Sequence, residues 1–134
     1  MNVNIPQMIL YVYDFMKRYT SKLDVYDPAT NTWATKASMP AAGSWFASGV
    51  FNGKLYAIGG SIGGASSNTV YVYDPLADTW TTETSMPTAR SGAAGGVING
   101  VLYVAGGSNS TGTLATVEAL TFNIVTPTPT PTST

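Results

Sequence analysis

The sequence contains no cysteine and no histidine among its 134 residues. Disulfides, thiolate nucleophiles, imidazole bases and the usual zinc ligands are therefore excluded together. The carboxylates are scattered singly, and those of Asp27 and Asp74 begin turns. We therefore expect no catalytic residues, no metal site and no cofactor. The absence of cysteine does not identify the redox compartment of the protein.

Charge is also scarce. Only 10% of the residues are charged, against roughly 25% in typical domains, and the net charge is −1. The six basic residues do not cluster, so we expect no nucleic-acid binding. With 44% apolar residues the chain is able to form one compact domain, whose surface is covered by Ser, Thr, Asn and Gly. Such a surface favours an extracellular or cell-surface location, although this correlation leaves the compartment open.

Long apolar runs are missing as well. The apolar run at residues 8–13 is short and is followed by Asp14 and Lys17, and residues 1–4 carry no positive charge on a side chain. We therefore expect no signal peptide within this chain and no insertion into a membrane.

The sequence does contain an internal repeat. A shift of 47 positions places Trp33 on Trp80 and Tyr26 on Tyr73. Nine of the 15 residues in 25–39, and 13 of the 22 residues in 40–61, are identical to their shifted partners. A repeat of nearly fifty residues, built from short apolar runs, predicts stacked blades or coils rather than a single ordinary core.

Residues 1–22 do not follow the repeat cleanly, and two alternatives remain open for them. Their apolar residues recur at helical spacing after Asn4 and Pro6, which suit the start of a helix. Residues 10–14, however, copy residues 70–74, which are predicted as a strand. Met, Lys and Arg favour the helix, whereas Tyr and Val favour the strand.

From Leu23 onward the pattern predicts short strands joined by turns. The predicted strands cover residues 23–26, 32–35, 45–51, 54–58, 69–74, 78–83, 91–98, 101–105 and 115–122. Asn52-Gly53 and Asn99-Gly100 predict two-residue type I′ hairpins, because both positions tolerate a positive φ. Asp27-Pro28 and Asp74-Pro75 begin the other turns, where Asp side chains bond the nearby backbone.

The C-terminal residues 126–132 alternate Thr and Pro and carry no large apolar side chain. Such a segment is held extended and does not pack a core, so it is predicted as a stalk, a spacer between domains or a disordered end. The chain is thus divided into an N-terminal segment (1–22), a repeat region (23–124) and a Thr/Pro-rich linker or stalk (125–134).

The repeat resembles the kelch motif. The residues that carry the resemblance are Gly59-Gly60 after an apolar strand, Tyr73-Asp74-Pro75, Trp80, Met86-Pro87 and Arg90. The resemblance covers roughly residues 23–122, and both the Gly-Gly pair and the spaced Tyr and Trp occur twice in register. It departs at Gly43, which matches Arg90, and at residues 120–122, where Leu-Thr-Phe replaces Tyr-Asp-Pro.

The resemblance implies an all-β fold, a partial β-propeller of four-stranded antiparallel blades. The predicted strands form groups of two, four and three, or about two and a quarter blades. Because each sheet can bury its faces only against its neighbours, Tyr26, Trp33, Tyr73 and Trp80 are predicted to fill the space between blades. These blades are too few to close a ring, so we expect further blades in a longer parent chain or closure by homo-oligomerisation.

Candidate binding residues lie where loops are predicted to share one face. In an up-and-down blade the tight turns lie on one face, and the loops 61–68 and 108–114 lie on the other, with the links 40–44 and 87–91. The first of these loops is predicted to be mobile. Variable loops on a rigid scaffold usually carry recognition. The candidate binding residues on this face are Ser44, Trp45, Ser61, Arg90, Ser108 and Asn109.

Two of these residues have alternatives. Arg90 either anchors an acidic group of a ligand or bonds backbone carbonyls of the neighbouring blade. Trp45 is either an exposed stacking platform for a sugar or a peptide, or an aromatic residue of the core.

We therefore expect a non-catalytic binding or scaffold module that recognises a protein or a carbohydrate. One alternative is a fragment of a kelch-type enzyme resembling galactose oxidase or the sialic-acid epimerases. Copper oxidases of this kind use His, Cys and Tyr ligands, and this chain has neither His nor Cys, so catalytic groups would have to come from other blades. Another alternative is a structural array in a surface protein, with the Thr-Pro segment as its stalk.

Overall fold

The structure is a computed structural model, and it describes residues 9–10 and 19–121. Throughout these residues the regular elements are β-strands, and none of these residues is helical. The strands in chain order are β1 (Ile9–Leu10), β2 (Leu23–Asp27), β3 (Thr32–Lys36), β4 (Gly43–Ser44), β5 (Ala47–Phe51), β6 (Lys54–Ile58), β7 (Ser61–Ile62), β8 (Ala65–Ser66), β9 (Val70–Asp74), β10 (Thr79–Glu83), β11 (Ala94–Ile98), β12 (Val101–Ala105), β13 (Ser108–Asn109), β14 (Gly112–Thr113) and β15 (Val117–Leu120). The predicted linker at 125–134 lies outside the described residues.

The strands form three main antiparallel sheets. Sheet 1 has the order β1-β2-β3, sheet 2 the order β10-β9-β6-β5, and sheet 3 the order β11-β12-β15. The 47-residue shift maps β2 and β3 onto β9 and β10, and β5, β6 and β9 onto β11, β12 and β15. The prediction of an all-β partial propeller is therefore confirmed, with sheet 2 as the complete four-stranded blade.

The short strand β1 decides part of the open question at the N-terminus. Ile9 lies opposite Tyr26 and Leu10 opposite Val25, which matches the register of β6 on β9. These two residues therefore adopt the strand alternative, and they take the place of the second strand of a blade rather than the third. The possible helix is not formed at Ile9–Leu10, and residues 1–8 and 11–18 lie outside the described residues.

The predicted turns are present with the expected backbone. Asn52 and Gly53 have φ values of 53° and 71°, and Asn99 and Gly100 have values of 50° and 75°. All four are positive, as a type I′ hairpin requires. In the turn that begins at Asp27, the carboxylate accepts a hydrogen bond from the backbone N–H two residues later at 2.9 Å. The turn at Asp74 repeats this contact at the same distance.

The two segments predicted as loops contain short hairpins. β7 pairs with β8, and β7 also pairs with β4, so the first loop belongs to a small three-stranded sheet. β13 pairs with β14 in the second loop. The strands predicted to begin at residues 45 and 91 begin instead at Ala47 and Ala94. A positive φ at Trp45 and at Gly92 explains this difference, because it interrupts the extended backbone.

The core lies in two layers, one on each side of sheet 2. Leu55 and Ala57 pack with Leu23 and Val25 between sheets 1 and 2. Tyr56 packs with the residues that lie between sheets 2 and 3, such as Leu102 and Val104. Because side chains alternate along a strand, sheet 2 is buried on both faces. Burying each large aliphatic side chain contributes about 1.5–3 kcal/mol to stability.

The four aromatic residues predicted to fill the spaces between blades are not equally buried. Tyr73 is fully buried and Trp80 packs against the layer between sheets 1 and 2. Tyr26 and Trp33 form a similar ring pair, with centroids 5.1 Å apart against 5.2 Å for Tyr73 and Trp80. Trp33 is nevertheless 54% exposed, so the prediction of burial is wrong for it. Its side chain lies on the face of sheet 1 that points away from sheet 2.

Candidate functional site

The hairpins β7–β8 and β13–β14 lie on one face of the molecule. This face, formed by residues 61–66 and 108–113 with the links 40–44 and 87–91, is here called the loop face. Ser91 forms an isolated bridge with Ser108, which copies the pairing of Ser44 with Ser61 in the preceding repeat. The Ser66 hydroxyl lies 3.2 Å from the Ser91 hydroxyl and donates to the Ser108 carbonyl at 3.2 Å. The loop face is therefore a connected surface between sheets 2 and 3.

Trp45 occupies a backbone position that the other repeat gives to glycine. Its φ is 58°, and the equivalent Gly92 has a φ of 69°. The Gly92 N–H donates to the Trp45 carbonyl at 3.0 Å, so the two positions are in direct contact. A left-handed conformation costs an L-residue roughly 1–2 kcal/mol. For a bulky residue it is a true outlier.

The Trp45 side chain is 47% exposed. This exposure agrees with the alternative in which Trp45 is an exposed platform, and not with the alternative in which it is an aromatic residue of the core. The strain is therefore not offset by full burial of the indole ring.

A groove of about 520 Å³ lies beside this indole. It is lined by Trp45, Ser91, Gly92, Gly107, Ser108 and Thr113, and is called the Trp45 groove below. Its lining contains no charged residue. Ser108 and Thr113 are exposed and present hydroxyl groups. The groove thus offers a flat aromatic surface, hydroxyls and backbone amides, but no acid, base or nucleophile with a shifted pKa.

Arg90 is not on the surface of this groove. It is 1% exposed, and its Nη1 donates to the carbonyls of Gly106 and Thr116, each at 2.9 Å. Its Nη2 donates to the Thr116 hydroxyl at 2.6 Å and lies 2.8 Å from the Glu118 carboxylate, to which Nε also donates. Five contacts match the five N–H groups of a guanidinium. The contacts are those of the structural alternative, so Arg90 is not carried forward as a ligand anchor.

Glu118, the partner of Arg90, was not predicted as a functional or structural residue from the sequence. In the preceding repeat the residues equivalent to Arg90, Ala93 and Glu118 are Gly43, Phe46 and Tyr71. A Cβ added to Gly43 would lie 2.5 Å from the Phe46 ring, so the ring fills space that an arginine would need. The buried ion pair of one repeat is thus replaced by two aromatic rings in the other. The joint change at these positions was the signal that could have identified the pair.

The contacts of Glu118 shift its pKa. Burial raises the pKa, but hydrogen bonds from Thr88 and Arg90, together with the charge of Arg90, more than offset this, and the net pKa lies below the usual value of 4.5. A carboxyl group with a lowered folded-state pKa stabilises the fold fully above its unfolded-state pKa. That stabilisation is lost as the pH falls through the folded-state value.

We therefore expect a pH-dependent difference between the wild-type protein and Glu118→Gln. At pH 7 the variant should be less stable, and the difference should shrink once the pH falls below about 4.5. Urea unfolding of both proteins from pH 7 to pH 3 measures this. Asp24 and Asp78 also have lowered pKa values, but both proteins keep them, so the difference isolates Glu118. A constant difference across this range would contradict the assignment.

The other predicted residues are divided between two places. Ser108 joins Trp45 in the groove, whereas Ser44 and Ser61 pair with each other and do not line it. The Asn109 amide donates to the Ala89 carbonyl at 3.0 Å. Its side-chain oxygen accepts from both the N–H and the hydroxyl of residue 111. Asn109 therefore orders its own hairpin.

The described residues contain neither a cluster of metal ligands nor a helix able to span a membrane. Within residues 9–10 and 19–121, no group of three or more His, Cys, Asp or Glu side chains is arranged to hold a metal ion. The same part of the chain contains no helix with the length and apolar character needed to cross a bilayer.

The comparisons with known proteins agree with this architecture. The family model described as Kelch motif matches residues 46–87 and 89–122, which is more than half of the chain. Chains of solved structures match as well, among them the structure of YjhT, with a TM-score of 0.61 and 25% sequence identity. The match covers 68% of this chain and 29% of that chain, so this chain spans less than a third of YjhT. No curated protein matches.

Proposed function

Because the chain belongs to the kelch-motif family and forms part of a β-propeller, we propose that it is a non-catalytic recognition module that binds a carbohydrate in the Trp45 groove. The observation that carries this proposal is the strained, half-exposed Trp45 at a position where the repeat has glycine. Strain that persists without full burial is typical of functional sites. Glycine would remove the strain, so an indole kept there points to a use for its exposed face.

The chemistry of the groove favours a neutral carbohydrate. Binding sites usually combine apolar or aromatic surface with a few polar groups that fix orientation. Here the indole supplies a flat apolar surface for the C–H face of a sugar ring. The hydroxyls of Ser108 and Thr113 are placed to exchange hydrogen bonds with sugar hydroxyls. The absence of charge among the lining residues disfavours an acidic or basic peptide.

Four carboxylates of the described residues have structural partners, which supports a non-catalytic role. Asp27 and Asp74 bond turn backbone, and Glu118 is paired with Arg90. Asp78 accepts hydrogen bonds from the Tyr73 hydroxyl at 2.7 Å and from the Ala37 N–H at 2.9 Å. Each of these groups thus has a structural partner.

We expect Trp45→Ala to weaken carbohydrate binding strongly while leaving the fold intact. Loss of a stacking aromatic is worth about 1–3 kcal/mol, or roughly tenfold to a hundredfold in affinity. Glycan and peptide arrays would first identify a ligand for the wild-type chain, and titration calorimetry would then compare it with the variant. Leu76→Ala is the matched control, because Leu76 is an exposed apolar residue at a turn, 77% exposed. It should bind as the wild type does.

The variants at position 45 also test the backbone. Trp45→Gly and Trp45→Ala both remove the indole, but only glycine adopts the left-handed conformation without cost, so it should be more stable than alanine by about 1 kcal/mol. Full affinity in Trp45→Ala would overturn the proposed site. Selective binding of peptides would replace carbohydrate by peptide recognition, and no ligand on either array would favour a structural array.

A further inference from the structure

A second cavity lies at the outer edge of sheet 3, away from the Trp45 groove. It has a volume of about 330 Å³. Glu83 at the end of β10 lines it together with Thr84, Ser85 and Pro87 of the following link, and the opposite side is formed by Ala119, Leu120 and Thr121. We call it the edge cavity.

The repeat identifies what fills the equivalent place in sheet 2. The 47-residue shift places Ala37 on Thr84 and Tyr73 on Leu120. Between Ala37 and Tyr73 lies Trp80, whose Nε1 donates to the Ala37 carbonyl at 2.7 Å and whose ring centroid is 5.2 Å from that of Tyr73. The Ala37 N–H in turn donates to the Asp78 carboxylate at 2.9 Å. In sheet 2 this place is therefore occupied by the tryptophan of the fourth strand.

Sheet 3 keeps the geometry that receives such a strand. Leu120 lies opposite Leu102, as Tyr73 lies opposite Leu55, so β15 has the register of β9. In sheet 2 the outer edge of β9 is paired with β10. Among the described residues β15 pairs only with β12, so its outer edge has no strand beside it there. An open edge is a template for pairing with another segment.

The sequence of the chain itself does not supply the missing side chain. The residues in the register of Asp78, Thr79 and Trp80 are Val125, Thr126 and Pro127. Neither an indole nor a carboxylate is present at these positions, and proline has no N–H to donate to a ladder.

We propose that the edge cavity is a binding site for a tryptophan-bearing β-strand of a separate polypeptide segment, which pairs with the outer edge of β15. The partner is defined by its chemistry: an extended segment with a tryptophan and, two residues before it, an aspartate or asparagine. Both copies of the fourth strand have this pattern, as Asp78-Thr79-Trp80 and Asn31-Thr32-Trp33. Main-chain hydrogen bonds to β15 provide affinity, and the cavity provides selectivity for the indole, as in other cases of strand addition.

The contacts expected in the complex follow from sheet 2. The incoming indole N–H bonds the Thr84 carbonyl, the side-chain oxygen of the incoming asparagine or aspartate accepts from the Thr84 N–H, and the ring covers Leu120. Because Glu83 holds the place that Lys36 has in sheet 2, asparagine is favoured over aspartate. The edge cavity is distinct from the Trp45 groove, and this proposal does not depend on carbohydrate binding there.

A peptide with the sequence of residues 76–84, Leu-Ala-Asp-Thr-Trp-Thr-Thr-Glu-Thr, is a direct probe. Fluorescence anisotropy of the labelled peptide would measure its binding to the full 134-residue chain. We expect saturable binding that weakens on the order of tenfold to a hundredfold when the peptide carries Trp80→Ala. Equal affinity of the two peptides, or no saturable binding, would overturn the proposal.

Two variants of the chain locate the binding. Ser85→Arg places a long charged side chain at the edge cavity and should prevent binding. Ser38→Arg is the matched control, since Ser38 is exposed and holds the equivalent position next to the occupied site of sheet 2, and it should bind normally. Binding that survives Ser85→Arg would place the peptide elsewhere and refute this site. Size-exclusion chromatography of the chain alone completes the test, because dimers dissociated by the peptide would make a second copy the occupant instead.

Discussion

Replacing Arg90 with Met is expected to lower the free energy of unfolding by about 3–5 kcal/mol. The substitution keeps an apolar stem of similar length but leaves the Glu118 carboxylate, whose side chain is 11% exposed, without its counter-charge. It also removes the donors that bond the carbonyls of Gly106 and Thr116. An unpaired buried charge costs far more than the net contribution of the pair itself. Equilibrium urea unfolding at pH 7 measures the change.

Two controls separate charge from packing. The double variant Arg90→Met with Glu118→Met should recover most of the lost stability, because an apolar pair replaces an ion pair with little net cost. Lys22→Met breaks the exposed pair with Asp24 and should cost less than about 1 kcal/mol. If the double variant is no more stable than Arg90→Met alone, the buried ion pair is not the cause.

Gly59→Ala is expected to cost about 2–5 kcal/mol as the sum of two effects, the backbone conformation and the overpacking. Gly59 has a φ of 66°, which costs an alanine roughly 1–2 kcal/mol. In addition, its new Cβ would overlap the carbonyl of Arg90 and lie 2.7 Å from the Met86 methyl group. That carbonyl already accepts from the Gly60 N–H at 2.8 Å, so the link between sheets 2 and 3 would have to move. Thermal and urea unfolding both report the loss.

The repeat provides the matched control for this substitution. Gly106 is the equivalent glycine of sheet 3, with a φ of 69°, but a Cβ there would meet only the Leu114 carbonyl at 3.7 Å. Gly106→Ala should therefore show the conformational cost alone, about 1–2 kcal/mol. Gly63→Ala, at a positive φ in open space, should behave in the same way. Similar losses in Gly59→Ala and Gly106→Ala would show that the close contact between blades does not matter.

Much of the fold was predictable because local sequence signals specify its strands and turns, and these signals occur in two repeats. The strands 54–58 and 101–105 were predicted with their observed bounds, since a two-residue Asn-Gly turn fixes where each begins. The resemblance to the kelch motif and the all-β architecture are confirmed by the family match and by the sheets. A repeated pattern fixes register, because corresponding residues must lie at corresponding places in each sheet.

What the sequence did not predict depends on contacts between distant residues. The partner of Arg90 lies 28 residues away in the last strand. Only a comparison of positions 90, 93 and 118 with positions 43, 46 and 71 of the preceding repeat would have indicated it. The hairpins of the loop face depend on pairing between successive links. For Trp45, no residue pattern around it indicated a left-handed backbone. The 47-residue shift places Trp45 on Gly92. The sequence alone did not indicate that this glycine has a positive φ.

The difference between the two layers of the core has a consequence for how the molecule comes apart. Sheets 1 and 2 meet through apolar and aromatic side chains such as Phe46 and Tyr71, whereas the contact between sheets 2 and 3 also includes Arg90 and Glu118. Acid removes the charge of Glu118 from the second contact. The first contact also contains a carboxylate with a lowered pKa, that of Asp78, but Asp78 is exposed to solvent, so its loss of charge should weaken the first contact less. At acidic pH we therefore expect sheet 3 to separate from sheet 2 first, while sheets 1 and 2 remain packed together.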